Sequence, residues 1–305
     1  MKHATFRQLK IFEAAARHLS FANAAKELHL TPPAVSMQIK QIEGHAGAPL
    51  FEKLGKRTFL TQAGEAVYRH AVAVLSQVKD CEDSLAALRG VMGGELDLAV
   101  VSTAKYFAPR LLSAFSRSHS GVSIRLSVNN REQVVRQLEE NRVDLAIMGQ
   151  PPQGLDALSS QFARHPLGII APPDHPLARK RRIEMKRLAT ERFLIREAGS
   201  GTRTSMEHVF AQHGLRPVAA MELASNETIK QAVMAGMGLS YLSLHTVGLE
   251  IETGRLVRLD VVGTPVMRDW FVIQRAGKQL SPLAEGFRRF LVDQGAGLIA
   301  KLGLP

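Results

Sequence analysis

Residues 20–42 read Ser20-Phe21-Ala22-Asn23-Ala24-Ala25-Lys26-Glu27-Leu28-His29-Leu30-Thr31-Pro32-Pro33-Ala34-Val35-Ser36-Met37-Gln38-Ile39-Lys40-Gln41-Ile42. Ser20 has the chemistry of an N-cap for a helix over 21–29, whose inner face is Ala24, Ala25 and Leu28. Thr31 opens a second helix with Pro32 and Pro33 in its first turn, where a missing N–H costs little. Val35, Ile39 and Ile42 form the inner stripe of that helix, leaving Ser36, Met37, Lys40 and Gln41 on its other faces. Two short helices around so tight a turn match a helix-turn-helix, whose second helix enters the DNA major groove.

The flanks extend the pattern. Upstream, Phe6, Leu9, Phe12, Ala15 and Ala16 recur at helical spacing, fading near His18. Downstream, the apolar pairs Leu50-Phe51 and Phe59-Leu60 bracket a basic loop of Leu54, Gly55, Lys56 and Arg57, which reads as a wing. From Thr61 or Gln62 to about Arg89 a long helix fits, with Val67, Val74, Leu75, Val78, Leu85 and Leu88 as its apolar stripe. Periodicity of this kind also fits any three-helix bundle, and a basic loop is often only solvated surface. Cys81, in the long helix, is expected as a small buried or partly buried thiol.

Charge favours a polyanionic partner. The 305-residue chain has 39 Lys and Arg against 28 Asp and Glu, a formal net charge of +11. Residues 1–60 hold nine bases and four acids, so nearly half of the excess sits in about a fifth of the chain. No apolar run approaches a membrane span, the N-terminus lacks a signal-peptide pattern, and a single cysteine excludes an intrachain disulfide or a cysteine-based zinc site. A cytoplasmic protein without membrane contact is expected.

Gly90-Val91-Met92-Gly93-Gly94 marks a joint, beyond which strands and helices alternate. The strands 95–102, 122–128 and 144–148 alternate with helices over 108–118 and 131–141, which argues for a parallel sheet covered by helices. A second set follows, with strands at 167–171, 193–196, 219–223 and 239–243 and helices at 202–213 and 226–235. A strand at 270–274 and a helix from Pro282 to about Asp293 close the chain. Two such lobes suggest a periplasmic-binding-protein-like pair around a cleft. Ligands of such sheets sit beyond strand ends, beside helix starts. Three segments qualify: 102–106, with Ser102, Thr103 and Lys105; 129–132, with Asn130 and Arg131; and 196–204, with Arg196, Ser200, Thr202 and Arg203. Gly149, Asn226 and Glu227 complete the candidate set. Hydroxyls, free backbone N–H groups and arginines suit a phosphate or carboxylate, although each site alone also fits an ordinary capped helix start. The run Arg179-Lys180-Arg181-Arg182 reads as an exposed loop.

The string from Phe21 to Ile39, together with Pro49-Leu50-Phe51-Glu52-Lys53 and Leu60-Thr61-Gln62-Ala63-Gly64-Glu65, closely resembles the LysR-type transcriptional regulators. The resemblance runs from Phe6 to about Phe290. It implies that Thr31, Pro33 and Ser36 open the recognition helix, with Met37 and Lys40 further along it, and that Lys53, Lys56 and Arg57 are the basic wing. Where that family commonly has Gln, this chain has Pro32, which makes no bidentate amide contact with adenine. Residues 102–109, 196–204 and 225–238 look like the CbbR branch, regulators of Calvin-cycle carbon-fixation genes. That likeness implies no cofactor but an anionic effector, such as a sugar phosphate, phosphoenolpyruvate or a nucleotide.

The expected architecture is therefore a multi-domain α/β chain. A winged helix-turn-helix occupies 1–61, a linker and dimerisation helix 62–90, and an effector-binding domain 91–305. Its first lobe takes about 91–163 and 267–305, its second about 164–266. Double-stranded promoter DNA, a second copy in a homodimer or homotetramer, and RNA polymerase are the expected partners. The helix stripe could instead pack on its own effector domain. Other expectations also stay open. The regulon could concern nitrogen or sulfur metabolism, or the cleft could belong to an enzyme acting on a phosphorylated metabolite. Against an enzyme, His165, His175, His208, His213 and His245 are scattered and Ser200 has no His nearby in sequence.

Overall fold

The structure is a computed structural model that describes residues 1–55, 57–88, 94–119 and 121–301. Contacts divide the chain into two units, 1–85 and 86–305. Of the expected joint at 90–94, residues 90–93 lie outside the described residues, and Gly94 opens a strand.

In the first unit, α1 (Phe6–His18), α2 (Phe21–Glu27) and α3 (Pro32–Ala46) precede a hairpin of β1 (Phe51–Leu54) and β2 (Arg57–Leu60). Each helix has its cap. The Thr5 hydroxyl accepts from Gln8 N, the Ser20 hydroxyl from Asn23 N and the Thr31 hydroxyl from Ala34 N. The α2 helix stops at Glu27 rather than His29, because His29 turns to φ 53°, outside the helical region. One core holds the module together, with Ile11, Phe12, Ala24, Val35, Ile39, Ile42 and Leu50 buried. Leu28 is only half-buried. Glu43, on α3, accepts the N–H groups of Leu50 and Phe51 at 2.8 and 3.3 Å, fixing where the hairpin leaves the helix.

A long helix, α4 (Gln62–Leu88), follows. Thr61 starts it: its hydroxyl accepts from Gly64 N and donates to Pro49 O. Gly64 lies so close to the Leu50 carbonyl that a Cβ there would stand 2.0 Å from its oxygen. Val67, Tyr68 and Ala71 close the module's core, whereas Val74 and Leu85 further along α4 are exposed. Cys81, expected buried or partly buried, is exposed as well, beside an apolar groove of Ala73, Val74, Gln77 and Val78. It belongs to the face of α4 that the module's own core does not cover.

The second unit starts with β3 (Gly94–Val101), α5 (Ala108–Ser116), β4 (Val122–Asn129), α6 (Arg131–Glu139) and β5 (Leu145–Met148). Here β3 pairs in parallel with both β4 and β5. The sheet is mixed rather than parallel throughout, because four strands join it in antiparallel pairings. They are β6 (Ala157–Ala171) and three later strands introduced below. Next come β7 (Arg192–Arg196), α7 (Gly201–Gln212), β8 (Val218–Leu223), α8 (Asn226–Met234), β9 (Ser240–Ser243), α9 (Gly248–Glu252) and β10 (Val257–Arg258). Then β11 (Val266–Arg275) returns beside β6, and α10 (Pro282–Ala300) packs on the sheet. The order is β10-β6-β11-β5-β3-β4, with β9 also on β6, and β7 and β8 form a separate parallel pair.

Sequence periodicity placed only the ends of β6 and β11, at 167–171 and 270–274. The remainder of β6 carries Ser159, Ser160, Gln161, Arg164 and Pro166, too polar to signal a strand, yet β11 covers its edge along the full length. The α10 helix outlasts its expected end at Asp293 because Leu291, Gly295 and Ile299 stay buried. One core gathers residues from Leu96 to Ala163 and from Trp270 to Ile299; two others draw on residues between Leu167 and Val261. The strands β6 and β11 pass from the first core to the others. No described helix is long and apolar enough to cross a membrane.

Candidate functional site: a DNA-reading face and an arginine-lined cleft

On α3, the outward set is Thr31, Pro33, Met37 and Lys40, all exposed, with Ser36 half-buried. Thr31 uses one lone pair of its oxygen as the cap, which leaves its hydroxyl hydrogen to donate outward. Gln41 is held by Gln8, whose amide donates to it at 2.9 Å and ties α1 to α3. On the wing, Lys53 pairs with Thr58 and Leu54 with Arg57 across the hairpin, and Lys53 and Arg57 are exposed. Lys56, expected beside them, lies outside the described residues. Exposed cations on a turn next to an open helix face can neutralise phosphates, and the helix face can reach base edges.

The second site is a cleft of about 590 Å³, its open mouth included, between the two sets of cores. Ser102 and Thr103 reach it from the end of β3, and Asn130 and Arg131 from the start of α6. Gly149 follows β5 into it, while Arg196 ends β7 and Ser200 and Thr202 start α7. All eight were in the candidate set. Lys105, Arg203, Asn226 and Glu227 do not line the cleft. Arg203 pairs instead with Glu207 and Glu222, and Lys105 stands over the Tyr106 ring. Asn226 accepts from Arg196 at 2.6 Å, and Glu227 accepts from the Tyr106 hydroxyl. These two residues hold the wall rather than face the space. Sequence reasoning missed His165, Leu167 and Arg268, which come from the antiparallel strands, along with Met148, Gln150 and Thr204.

Three arginines line the cleft, and none of the lining residues is an Asp or Glu. Their states differ. Arg196 is 3% exposed, paired with Glu197 at 2.7 Å, and donates to Ser102 across the cleft at 3.1 Å. Arg131 donates to the carbonyls of Gln150 and Pro151 at 2.7 and 3.1 Å. Burial, and then the charge of Arg268, push its pKa below the usual guanidinium value. Arg268 itself has neither a hydrogen bond nor an ion pair among the described residues. Helix α7 begins without a side-chain cap, so its first-turn N–H groups face outward unclaimed. An anion would meet both these N–H groups and the guanidinia.

Beneath lie stacked rings. His165 stacks on Trp270 with centroids 3.9 Å apart, and Trp270 Nε1 donates to His245 Nδ1 at 3.0 Å. Phe107 meets Trp270 edge-on. A Cβ on Gly149 would stand 2.8 Å from His165 Nδ1, so the glycine makes room for the imidazole. Burial lowers the pKa of His245 to about 4. Burial, then the charges of His245 and Arg268, hold His165 well below its ordinary value. Among the described residues no group of three or more His, Cys, Asp or Glu could hold a metal.

A winged helix-turn-helix joined to a two-lobed, cation-lined cleft defines a ligand-responsive DNA-binding regulator. Residues 6–65 match the bacterial regulatory helix-turn-helix protein model of the lysR family, and residues 89–296 match the LysR substrate binding domain. The chain belongs to the LysR family of transcriptional regulators, and is a regulator rather than an enzyme. It is 49% identical over 301 residues to the RuBisCO operon transcriptional regulator of Allochromatium vinosum, covering 99% of this chain and all of that one. It is 51% identical over 293 residues to the HTH-type transcriptional regulator CbbR of Rhodospirillum rubrum, covering 95% and 97%. The CcmR regulatory domain of Synechocystis PCC6803, solved in complex with 2-PG, is similar at 43% identity and a TM-score of 0.64. That match covers 65% of this chain and 96% of that domain.

Proposed function

We propose that this regulator controls carbon-fixation genes, activating them in response to a phosphorylated anion held between the lobes. The observation that carries the reading is a cleft with three arginines and no lining carboxylate, beside an uncapped helix start. The names of its relatives supply the regulon, and the 2-PG (2-phosphoglycolate) complex of the CcmR domain supplies the ligand class. The effector contacts are Ser102, Thr103, Asn130, Arg131, Arg196, Ser200 and Thr202, with Gly149 acting through the room it leaves. Thr31, Pro33, Ser36, Met37 and Lys40 enter the major groove, and Lys53, Lys56 and Arg57 meet phosphates or the minor groove.

The exposed stripe of α4, around Val74 and Leu85, pairs with its copy in a dimer, and two dimers assemble into a homotetramer on a promoter in the cytoplasm. Activation then proceeds through contact with RNA polymerase. The signal is mechanical: a ligand that binds one lobe arrangement better than another shifts the population toward it. Footprinting on a RuBisCO-operon promoter fragment, with and without 2-phosphoglycolate, tests the reading. A changed protection pattern is expected, and an unchanged one with every sugar phosphate and phosphorylated acid tried would sink it.

A further inference from the structure

One group at the base of the cleft has chemistry that the fold does not use. His165 is 5% exposed, and neither Nδ1 nor Nε2 has a hydrogen-bond partner. Leaving two polar ring atoms buried and unsatisfied is costly unless a ligand completes them. Arg268 lies directly across the β6–β11 register from His165 and is the one cleft arginine with no hydrogen bond or ion pair among the described residues. The other charged or titratable groups around this pair are Arg131 from α6, Arg196 from β7, Tyr241 from β9 and His245 after it, with His208 and His213 at the end of α7 lining a second hollow beside Arg268; β5 contributes only Met148 and Gly149. Asp269, next along β11, is taken by Gln161 and Arg164.

We propose, resting on the reading of the cleft as an anion site, that His165 and Arg268 together receive the effector's doubly charged phosphate and that His165 takes up a proton from solvent as it binds. In the free cleft, burial above all, with the Arg268 guanidinium nearby, keeps the imidazole neutral. A dianion within hydrogen-bond reach reverses that preference, since an opposite charge favours the protonated form. The sign is diagnostic. A phosphate monoester, with a second pKa of about 6, is mostly dianionic at about pH 7. A cleft that merely selected the dianion would release the small protonated fraction, whereas His165 causes net uptake.

The test is calorimetric titration of the full chain with 2-phosphoglycolate near neutral pH, in two buffers of different ionisation enthalpy. Wild type should show net proton uptake; His165→Gln should lose it and bind roughly tenfold more weakly. Trp270, the chain's single tryptophan, adds an optical readout, because an imidazolium stacked on an indole quenches its emission. Quenching on binding is expected in wild type and absent in His165→Gln. Uptake that persists in His165→Gln, or wild-type binding without uptake, overturns the proposal and leaves the anion site standing. No binding by wild type overturns both. Should His165→Gln fail to fold, Arg268→Gln decides. A joint loss of affinity and uptake supports the pairing, and wild-type values for both overturn it.

Discussion

Gly64 has no room for a side chain: the Leu50 carbonyl occupies the space its Cβ would need. Gly64→Ala must therefore separate α4 from the start of the wing, at a cost of about 3 kcal/mol or more. Thermal unfolding should show the transition of the DNA-binding unit moving down while that of the effector-binding unit holds. In the other unit, His245 is buried and neutral, with a pKa lowered to about 4 by burial, and it accepts from Trp270 through Nδ1. The unfolded chain takes its proton first, near pH 6.5. The native state's advantage is thus complete above pH 6.5 and disappears as pH falls toward 4, a loss of roughly 3 kcal/mol, and His165 acts in the same direction. Urea midpoints measured across that interval should fall in wild type and fall less steeply in His245→Asn, whose amide oxygen can still accept from the indole while His165 keeps its own contribution. Gly149→Ala would push the imidazole of His165 off its seat. It should weaken 2-phosphoglycolate binding with little effect on DNA affinity, as titrations of each ligand would show.

The recognition helix and wing were legible because their signals are local. A cap, two prolines in a first turn and a three-residue apolar stripe define α3 whatever it packs against. For such an element the electrostatic prediction is simple. Lys53→Ala or Arg57→Ala should weaken binding to all DNA sequences alike, and each lost phosphate contact should reduce the slope of log K against log salt by about 0.9. A drop confined to the specific site would argue instead for base contact. The strand β6 was not legible for the opposite reason. What makes 157–166 a strand is the long antiparallel partnership with β11, a non-local pairing that leaves polar residues on an open face and no periodic trace. The same gap hid half of the cleft. Residues at the ends of parallel strands and the starts of helices could be found from the order of elements. His165 and Arg268 project from within antiparallel strands rather than from strand ends at a helix start, where no positional rule points.

At the scale of the whole molecule, α4 carries an exposed apolar face, and β6 and β11 run from one core of the second unit to the others. Replacing exposed Val74 or Leu85 by Asp should leave the fold intact but shift the mass by light scattering toward the monomer, with DNA affinity falling as the two-fold pairing of reading heads is lost. An unchanged mass would return α4 to the alternative of packing on its own chain. Between the lobes, the donation of Arg196 to Ser102 and that of Tyr106 to Glu227 join elements otherwise linked through β6 and β11. At the far end of the chain, the Glu43 carboxylate accepts from the backbone of Leu50 and Phe51 and so ties α3 to its hairpin. Each head is a stamp of fixed width. For the proposed dimer, the expected consequence is that operators tolerate changes in the distance between half-sites better than changes within a half-site. An insertion of one base pair inside a half-site should be fatal where the same insertion between half-sites is merely costly.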